Sequence, residues 1–546
     1  MRDPLAPRMR WWGWGVDGHP GLPGHAESLL RSELGAEGRR RPPVPLEEVR
    51  LPASVYPGGL RERLAAIVGE RHVRDDRLTR VAHAAGKSYL DLVRIRSGDA
   101  SNAPDVVVYP GSHEEVAAVL DVCAEIGVAV VPYGGGTSVV GGVEPLRGRF
   151  PAAVSLDLAR MDRLVRTDLR SLAVTFSPGM TGPRAEAALR ARGLTLGHFP
   201  QSFEYATVGG FVATRSAGQA STGYGRIDEL VLGLRCATPA GEAALRTLPA
   251  SAAGPSLREL FVGSEGTLGV VTEVTLAVRP APEARRFEGW SFASFEEGVE
   301  AFRALEQEDA SPDVARLSDE EETRINLALA SSGSLLERAG KAYLRARGHG
   351  EGCLAILGFE GRAREVERRR ARTAAILRAA GGVALGEHPG RAWERSRYEG
   401  PYLRDDLLDR GVLVETLETA TTWSNLPVLY RAVGDALRRT LAERGTPPVV
   451  MCHVSHLYRS GASLYFTVLA AQEEGAEAEQ WRAAKAAASD AIVEHGGTIT
   501  HHHAVGTDHA PWLAREVGAL GIELLRAAKE RLDPAGIMNP GKLIAG

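Results

Sequence analysis

The sequence predicts an α+β protein of several domains: an α/β ligand-binding unit rich in glycine loops, followed by a unit of helices on an antiparallel sheet. Three observations carry this prediction. The chain has 546 residues, more than one domain at roughly 100–200 residues each. Between residues 104 and 142 a β-branched run, a helical repeat and a second apolar run lead into Gly134-Gly135-Gly136. Beyond Pro280-Ala281-Pro282, long amphipathic segments alternate with short apolar runs, the pattern of helices packed on one face of an antiparallel sheet.

In chain order, residues 1–100 form an N-terminal segment, irregular at first, with a tryptophan cluster at Trp11, Trp12 and Trp14 and a short helix over Leu60–Ile67. Residues 101–281 form the glycine-loop domain. Asp105–Tyr109 reads as a buried strand. Ser112, three residues before Glu115, is a capping box that opens a helix ended by Gly127. Val128–Pro132 is a second strand, so that a β-α-β unit feeds the glycine loop. Strands over Ala153–Leu158, Leu172–Ser177 and Val270–Val278 and a helix over Pro183–Arg192 complete this domain. Residues 282–495 form a cap with helices at Glu296–Glu308, Arg362–Ala380, Pro427–Arg444 and Glu474–His495, and strands at Cys353–Phe359, Gly411–Leu417 and Ala462–Leu469. Residues 496–546 form a C-terminal segment that carries a histidine cluster.

Composition narrows the function. With 44% hydrophobic and 25% charged residues the chain builds a large core. A net charge of −4 gives no basic footprint for nucleic acid. Cys123, Cys236, Cys353 and Cys452 have no CxxC spacing, which points to a reducing compartment rather than a disulfide framework or a zinc knuckle. No apolar run reaches the roughly 18–20 residues of a membrane span, and MRDPLAPRMRWWGWG lacks a signal-peptide core. The expected location is cytoplasmic, with peripheral contact at the inner membrane face.

Three segments dense in small residues point to a flat polar ligand. PYGGGTSVVGG (132–142) removes Cβ atoms and lets backbone N–H groups turn toward an anion, with Thr137 and Ser138 adding hydroxyls. It is neither a Rossmann fingerprint nor a Walker loop. PQSFEYATVGGFVATRSAGQASTGYGRIDELV (200–231) and LFVGSEGTLGVVTEV (260–274) follow within about 140 residues of the first. His501, His502 and His503 are consecutive. On a strand, 501 and 503 share one face and 502 points away, so at most two meet one ion; no metal is expected, and neutral imidazoles suit proton transfer.

These segments resemble the PCMH-type FAD-binding domain of the vanillyl-alcohol oxidase family, most specifically in GSEGTLGVVTE and LDPAGIMNPGKL. Within it, RWWGWG, GHFPQSFEYATVGGFVATRSAG, YLRD, VETLETATTW, SGASLYFTV and THHHAVG are similar to the alkyldihydroxyacetonephosphate synthases. The resemblance implies two α/β subdomains holding FAD, residues 101–281 being the FAD-binding domain, plus a cap domain. It implies an alkyl transferase that exchanges the acyl group of acyl-dihydroxyacetone phosphate for a long-chain alcohol, in ether-lipid synthesis, by way of an adduct at flavin N5. The alternative is an FAD-dependent oxidoreductase of the D-lactate or 2-hydroxy-acid type, whose HxGDGNxH-like metal motif is not found here. The implied partners are lipid small molecules, with a homodimer expected and no nucleic acid. Residues 132–145 contain no His, so the FAD is expected to be non-covalent.

The same resemblance assigns residues. Cofactor binding falls to Pro132, Tyr133, Gly134, Gly135, Gly136, Thr137 and Ser138 in the first segment. In the second it falls to Gln201, Ser202, Phe203, Glu204, Tyr205, Ala206, Thr207, Thr214, Arg215, Ser216 and Ala217. In the third it falls to Ser264, Glu265, Gly266, Thr267, Leu268, Gly269, Val270 and Val271. Tyr465 is the expected proton acceptor and donor, its phenolate stabilised by a nearby imidazolium or the flavin, with His501, His502, His503 and His198 in acid–base chemistry. Arg404 and Arg316 are the expected substrate-binding residues, the former for phosphate, which a guanidinium fork fits. His453 stands where Arg is expected and Ser463 where Cys is expected.

Overall fold

The computed structural model describes residues 5–16, 21–35, 40–330 and 335–544. The helix His113–Ile126 starts where its signal places it, with Ser112 Oγ accepting from the Glu115 N–H at 3.2 Å. The reciprocal bond shifts by one residue: Glu115 accepts from the Gly111 N–H (2.6 Å) rather than from Ser112. Gly127, at φ 77°, terminates the helix in the left-handed conformation. The strands Val106–Val108 and Ala129–Tyr133 flank this helix but are not neighbours. Ala153–Asp157 lies between them, parallel to both, and Val73–Arg74 closes the far edge. Ala129–Tyr133 is thus an edge strand, and the glycine loop leaves from its end.

A second sheet is antiparallel throughout, in the order Leu164–Asp168, Ala173–Phe176, Val270–Ala277, Val231–Thr238, Gly241–Leu245. The cap is built on a seven-stranded antiparallel sheet. Its order is Val383–Gly386, Ala284–Phe292, Cys353–Gly361, Val314–Ser318, Val449–Tyr458, Gly461–Ala471, Val412–Thr422. Four of these strands (284–292, 314–318, 383–386 and 449–458) go beyond the three that the sequence pattern gives. The expected cap helices form at Phe295–Gln307, Ala363–Ala379, Leu426–Glu443 and Glu477–Glu494.

The cap sheet positions the site through its two-residue period. Leu317, Val454, Leu464 and Phe466 are buried with the helices in one large core, where each side chain of this size contributes roughly 1.5–3 kcal/mol. Their sequence neighbours Arg316, His453 and Tyr465 line a cavity on the opposite face. Register aligns two of them, Tyr465 and His453, further: Glu418 pairs with Tyr465, Tyr465 with His453, and His453 with Ser318, a single row across four strands. A slip of one residue would send this whole row into the helix-facing core.

Candidate active site

A cavity of about 430 Å³ runs from the glycine loop to the cap sheet. Its walls include Pro132–Val139, Gln201, Ser202, Ala206, Thr207, Thr214, Ser216, Ala217, Glu265, Gly266 and Gly269–Val271, so all three small-residue segments converge on it. Close approach explains the glycines. A Cβ on Gly135 would lie 2.2 Å from the Tyr205 carbonyl, and one on Gly134 would lie 2.4 Å from Thr207 Oγ1. The first loop can therefore sit flush on the second only without side chains.

Seven of the expected cofactor residues do not line the cavity. Phe203 stacks on Tyr398, and Glu204 accepts from the Tyr402 hydroxyl. Tyr205 turns its ring edge to Trp14 and its hydroxyl to Tyr402. Arg215, at φ 53°, pairs with Glu259 and Asp228. Ser264 and Thr267 are buried and joined within their own turn (Thr267 Oγ1 donating to the Ser264 carbonyl, 2.7 Å), and Leu268 belongs to the core of the second sheet. These residues shape the walls; the partners their side chains find elsewhere keep them off the ligand surface.

From the cap come Arg316, Arg404, Glu415, Thr416, His453, Ser455, His456, Tyr465 and Thr467, and from the C-terminal segment His502 and His503. The two arginines differ. Arg316 is tied to Glu322 at 2.7 Å, and His453 Nδ1 bonds the same carboxylate oxygen at 3.1 Å. Arg404 is 8% exposed, its Nε has no partner, and among the described residues its guanidinium makes no ion pair. Glu415 and Asp405 lie near enough to feel its charge without bonding it, so its hydrogen-bonding edge is left for an incoming anion.

Tyr465 lies between two imidazoles in near-parallel stacks, with His453 at 4.8 Å and His502 at 5.9 Å, and its ring meets His503 edge-on at 5.5 Å. Burial pushes its phenol up to about 12, partly offset by a hydrogen bond with Thr416. Burial also pushes His502 down to about 3 and His503 to about 4. Burial thus favours the neutral form of the imidazoles around Tyr465, which leaves the flavin, of the two stabilisers expected for its phenolate.

The histidine segment is a bend and not a strand. It curls around Glu418, whose carboxylate accepts from the backbone N–H of His501, His502 (3.2 Å) and His503 (2.9 Å) and from the Thr500 hydroxyl (2.6 Å). Burial alone would raise Glu418, but His502, His503, His501 and Thr500 hold it well below the usual carboxylate range. A second carboxylate, Glu265, accepts from the N–H groups of Val505 and Gly506 at 2.8 Å each. The segment 500–506 is therefore clamped on the cap side by Glu418 and on the glycine-loop side by Glu265.

His501 and His198 do not line the cavity. His198 sits behind it, bonded through Nε2 to Ser216 Oγ (2.8 Å), and burial pushes it down to about 3. The bend also removes the strand geometry on which the metal expectation rested, since ring nitrogens of His456, His501 and His502 lie within 4.8 Å of one another. However, His456 and His501 each engage both ring nitrogens in hydrogen bonds.

Sequence reasoning missed Glu418 and His456. Glu418 was legible only as one of two glutamates in the strand VLVETLETATT. Trp14, placed with an N-terminal packing cluster, is a wall of the cavity, its backbone N–H held by Asp405 Oδ2 at 2.6 Å.

The cavity fits FAD: three loops of small residues meet along it, and the cap closes one end with titratable side chains. The comparisons agree. Residues 104–244 match the family model "FAD binding domain" and residues 281–543 match "FAD linked oxidases, C-terminal domain". Alkyldihydroxyacetonephosphate synthase of Dictyostelium discoideum is 36% identical over 94% of this chain and 87% of its own length. The Trypanosoma brucei brucei synthase is 34% identical over 91% and 82%. A solved alkyldihydroxyacetonephosphate synthase structure superposes with a TM-score of 0.86 over 100% of both chains at 31% identity. A 4-ethylphenol oxidase, at 16% identity, shares the fold (TM-score 0.65) over 89% of this chain and 98% of its own. Among the described residues no helix is long and apolar enough to cross a membrane. The chain is an FAD-binding protein and belongs to the alkyldihydroxyacetonephosphate synthase family.

Proposed function

We propose that this protein makes alkyl-dihydroxyacetone phosphate from acyl-dihydroxyacetone phosphate and a long-chain alcohol, releasing the fatty acid. The observation that carries the reading is Arg404: an unpaired, buried guanidinium in the same cavity as Tyr465 and a neutral histidine cluster. Pro132–Ser138, Gln201, Ser202, Ala206, Thr207, Thr214, Ser216, Ala217, Glu265, Gly266 and Gly269–Val271 would hold FAD, without a covalent bond. FAD, when bound, supplies an electrophilic ring for an exchange with no net redox change.

The protein's own residues do the rest. Arg404 binds the substrate phosphate through charge-assisted hydrogen bonds, worth about 1.5–3 kcal/mol. Arg316, held by Glu322, presents its remaining edge to the headgroup. Tyr465 Oη takes a proton from the carbon that bears the ester and later returns one. The cap sheet and Trp14 keep water from the reacting carbon, which matters because water would compete with the alcohol. Both substrates carry long alkyl chains that partition into bilayers, so a peripheral membrane contact at the inner face and a homodimer belong to this reading.

The test is to incubate purified holoprotein with acyl-dihydroxyacetone phosphate and a long-chain alcohol and to assay the ether product. Flavin absorbance is followed under anaerobic conditions in parallel. Ether product with no net flavin bleaching is the expected result. Bleaching by a 2-hydroxy acid, with no ether formed, would establish the oxidoreductase reading instead.

A further inference from the structure

His501 lies outside the cavity and Tyr458 is only half-buried, yet the two are bonded in series to a cavity residue. Tyr458 Oη and His501 Nε2 are 2.5 Å apart, and His501 Nδ1 and His502 Nδ1 are 2.9 Å apart. His502 lines the cavity; His501 does not and is 6% exposed. At the outer end Arg226 lies close enough for its charge to lower the Tyr458 phenol against burial, and it pairs with Asp228 at 3.1 Å with 18% of each side chain exposed. The turn at Arg459 and Ser460, next in sequence, is exposed.

We propose that His502, His501 and Tyr458 form a proton relay joining the reaction cavity to solvent beside Arg226. A neutral imidazole has one N–H donor and one acceptor nitrogen, so the chain has two self-consistent polarities. In the first, Tyr458 O–H donates to His501 Nε2, His501 Nδ1–H donates to His502 Nδ1, and His502 carries its proton on Nε2. An inward transfer moves the Nε2 proton to an acceptor in the cavity, the His501 Nδ1 proton to His502 Nδ1 and the Tyr458 proton to His501 Nε2. Solvent refills Tyr458. Each O–H or N–H bond broken is matched by one formed, and no group changes oxidation state.

That transfer leaves the chain in its second polarity, with His502 Nδ1–H donating to His501 and His501 Nε2–H donating to Tyr458. In this state it can only carry a proton outward. The relay resets itself by alternating directions, with no ring flip, which suits a reaction that removes a proton and later returns one. Both resting states are uncharged, as burial of the histidines demands. The Arg226 guanidinium beside Tyr458 eases the transient charge at the outer end.

The proposal rests on the reaction argued above, so its first readout needs no substrate. Holoenzyme labelled with ¹⁵N-histidine is transferred to D2O, and exchange of the His501 and His502 ring protons is followed by NMR in the parent, Tyr458→Phe and His501→Gln. Exchange at least about tenfold slower at His502 in both variants is expected, since the phenyl ring and the amide each break the chain at a different link. Equal exchange in all three proteins overturns the relay. The second readout is deuterium uptake at the headgroup carbon during turnover in D2O. It should fall about tenfold in Tyr458→Phe, with the flavin spectrum and the KM for the phosphorylated substrate unchanged. Failure of the parent to form ether product defeats the proposed reaction and leaves the ring-proton exchange to decide the relay. If Tyr458→Phe loses its FAD, the His501→Gln exchange rate decides.

Discussion

Glu418 faces Tyr465 directly across the paired strands 412–422 and 461–471, yet its carboxylate bonds the backbone of His501–His503. One residue of the cap sheet thereby fixes the imidazoles against the ring of its cross-strand neighbour. Glu418→Gln keeps the shape but sets an amide N–H against backbone donors. We expect a loss of about 3 kcal/mol or more, because hydrogen bonds to a buried charge contribute about 1.5–3 kcal/mol each. Turnover should fall at least tenfold while FAD remains bound. Thermal unfolding and product assay check both, and a variant with parental stability and rate would show that the clamp is dispensable.

Tyr465→Phe keeps the stacks with His453 and His502 and deletes one hydroxyl. FAD content should survive, and turnover should drop by about 10²–10⁴, the range of a general acid–base group. A rate within a factor of about three of the parent would remove Tyr465 Oη from the chemistry.

The two arginines should separate cleanly. Arg404→Leu removes a guanidinium that bonds no protein group, though Glu415 and Asp405 feel its charge, so its main effect should be on apparent affinity for the phosphorylated substrate, a fall of about tenfold to a hundredfold. Arg316→Leu strips Glu322 of its cationic partner and leaves it only the His453 bond; losing one side of a partly buried pair costs stability, so its first effect should be on the melting temperature. Steady-state kinetics and calorimetry on both variants distinguish the roles, and the reverse pattern would exchange them.

How far the sequence reveals this site depends on the range of the interactions. The capping signal at Ser112, the glycine loop after Val131 and the alternation around Tyr465 are local, and the structure realises each within a few residues. The insertion of Ala153–Asp157 between the strands of the expected β-α-β unit depends on long-range pairing and leaves no local mark. Likewise, the consecutive histidines read as a strand because nothing near them in sequence reveals Glu418, over 80 residues away, which bends them. Small-residue motifs identify which loops meet a cofactor. They do not identify which side chains face it, because Phe203 and Leu268 find apolar partners outside the cavity.

The cofactor should leave without covalent cleavage. No histidine stands in residues 132–145, and the two cysteines of the cap, Cys353 and Cys452, are buried and do not line the cavity. Acid precipitation should therefore release all flavin as FAD into the supernatant, measured by absorbance and chromatography. Flavin retained in the pellet would establish a covalent link.

Acid should unfold this protein through its neutral histidines. Burial holds His198 at about 3, with His456 adding to it, and holds His502 at about 3 and His503 at about 4 against the opposing charge of Glu418; the value in an unfolded chain is 6.5. A group whose folded value is depressed contributes stability that is present above its unfolded value and lost as pH falls toward its folded value. The window is therefore about pH 6.5 down to 3–4. Within it each imidazole costs about 1.4 kcal/mol per pH unit, or about 2 kcal/mol at pH 5, and three together approach the 5–15 kcal/mol net stability of a domain. Glu265, raised to about 7 chiefly by burial, works in the opposite sense: its contribution is present below 4.5 and lost as pH rises through 7. A substitution that removes one imidazole isolates its share. His198→Gln keeps an amide able to bond Ser216 and carries no titratable proton. The stability difference between parent and variant should therefore change by about 1.4 kcal/mol per unit between pH 6.5 and 4, in favour of the variant as acid is added. Denaturant unfolding at half-unit pH steps measures it. Parallel curves for the two proteins would mean that His198 titrates normally, and the acid limb would then belong to the cluster around Glu418.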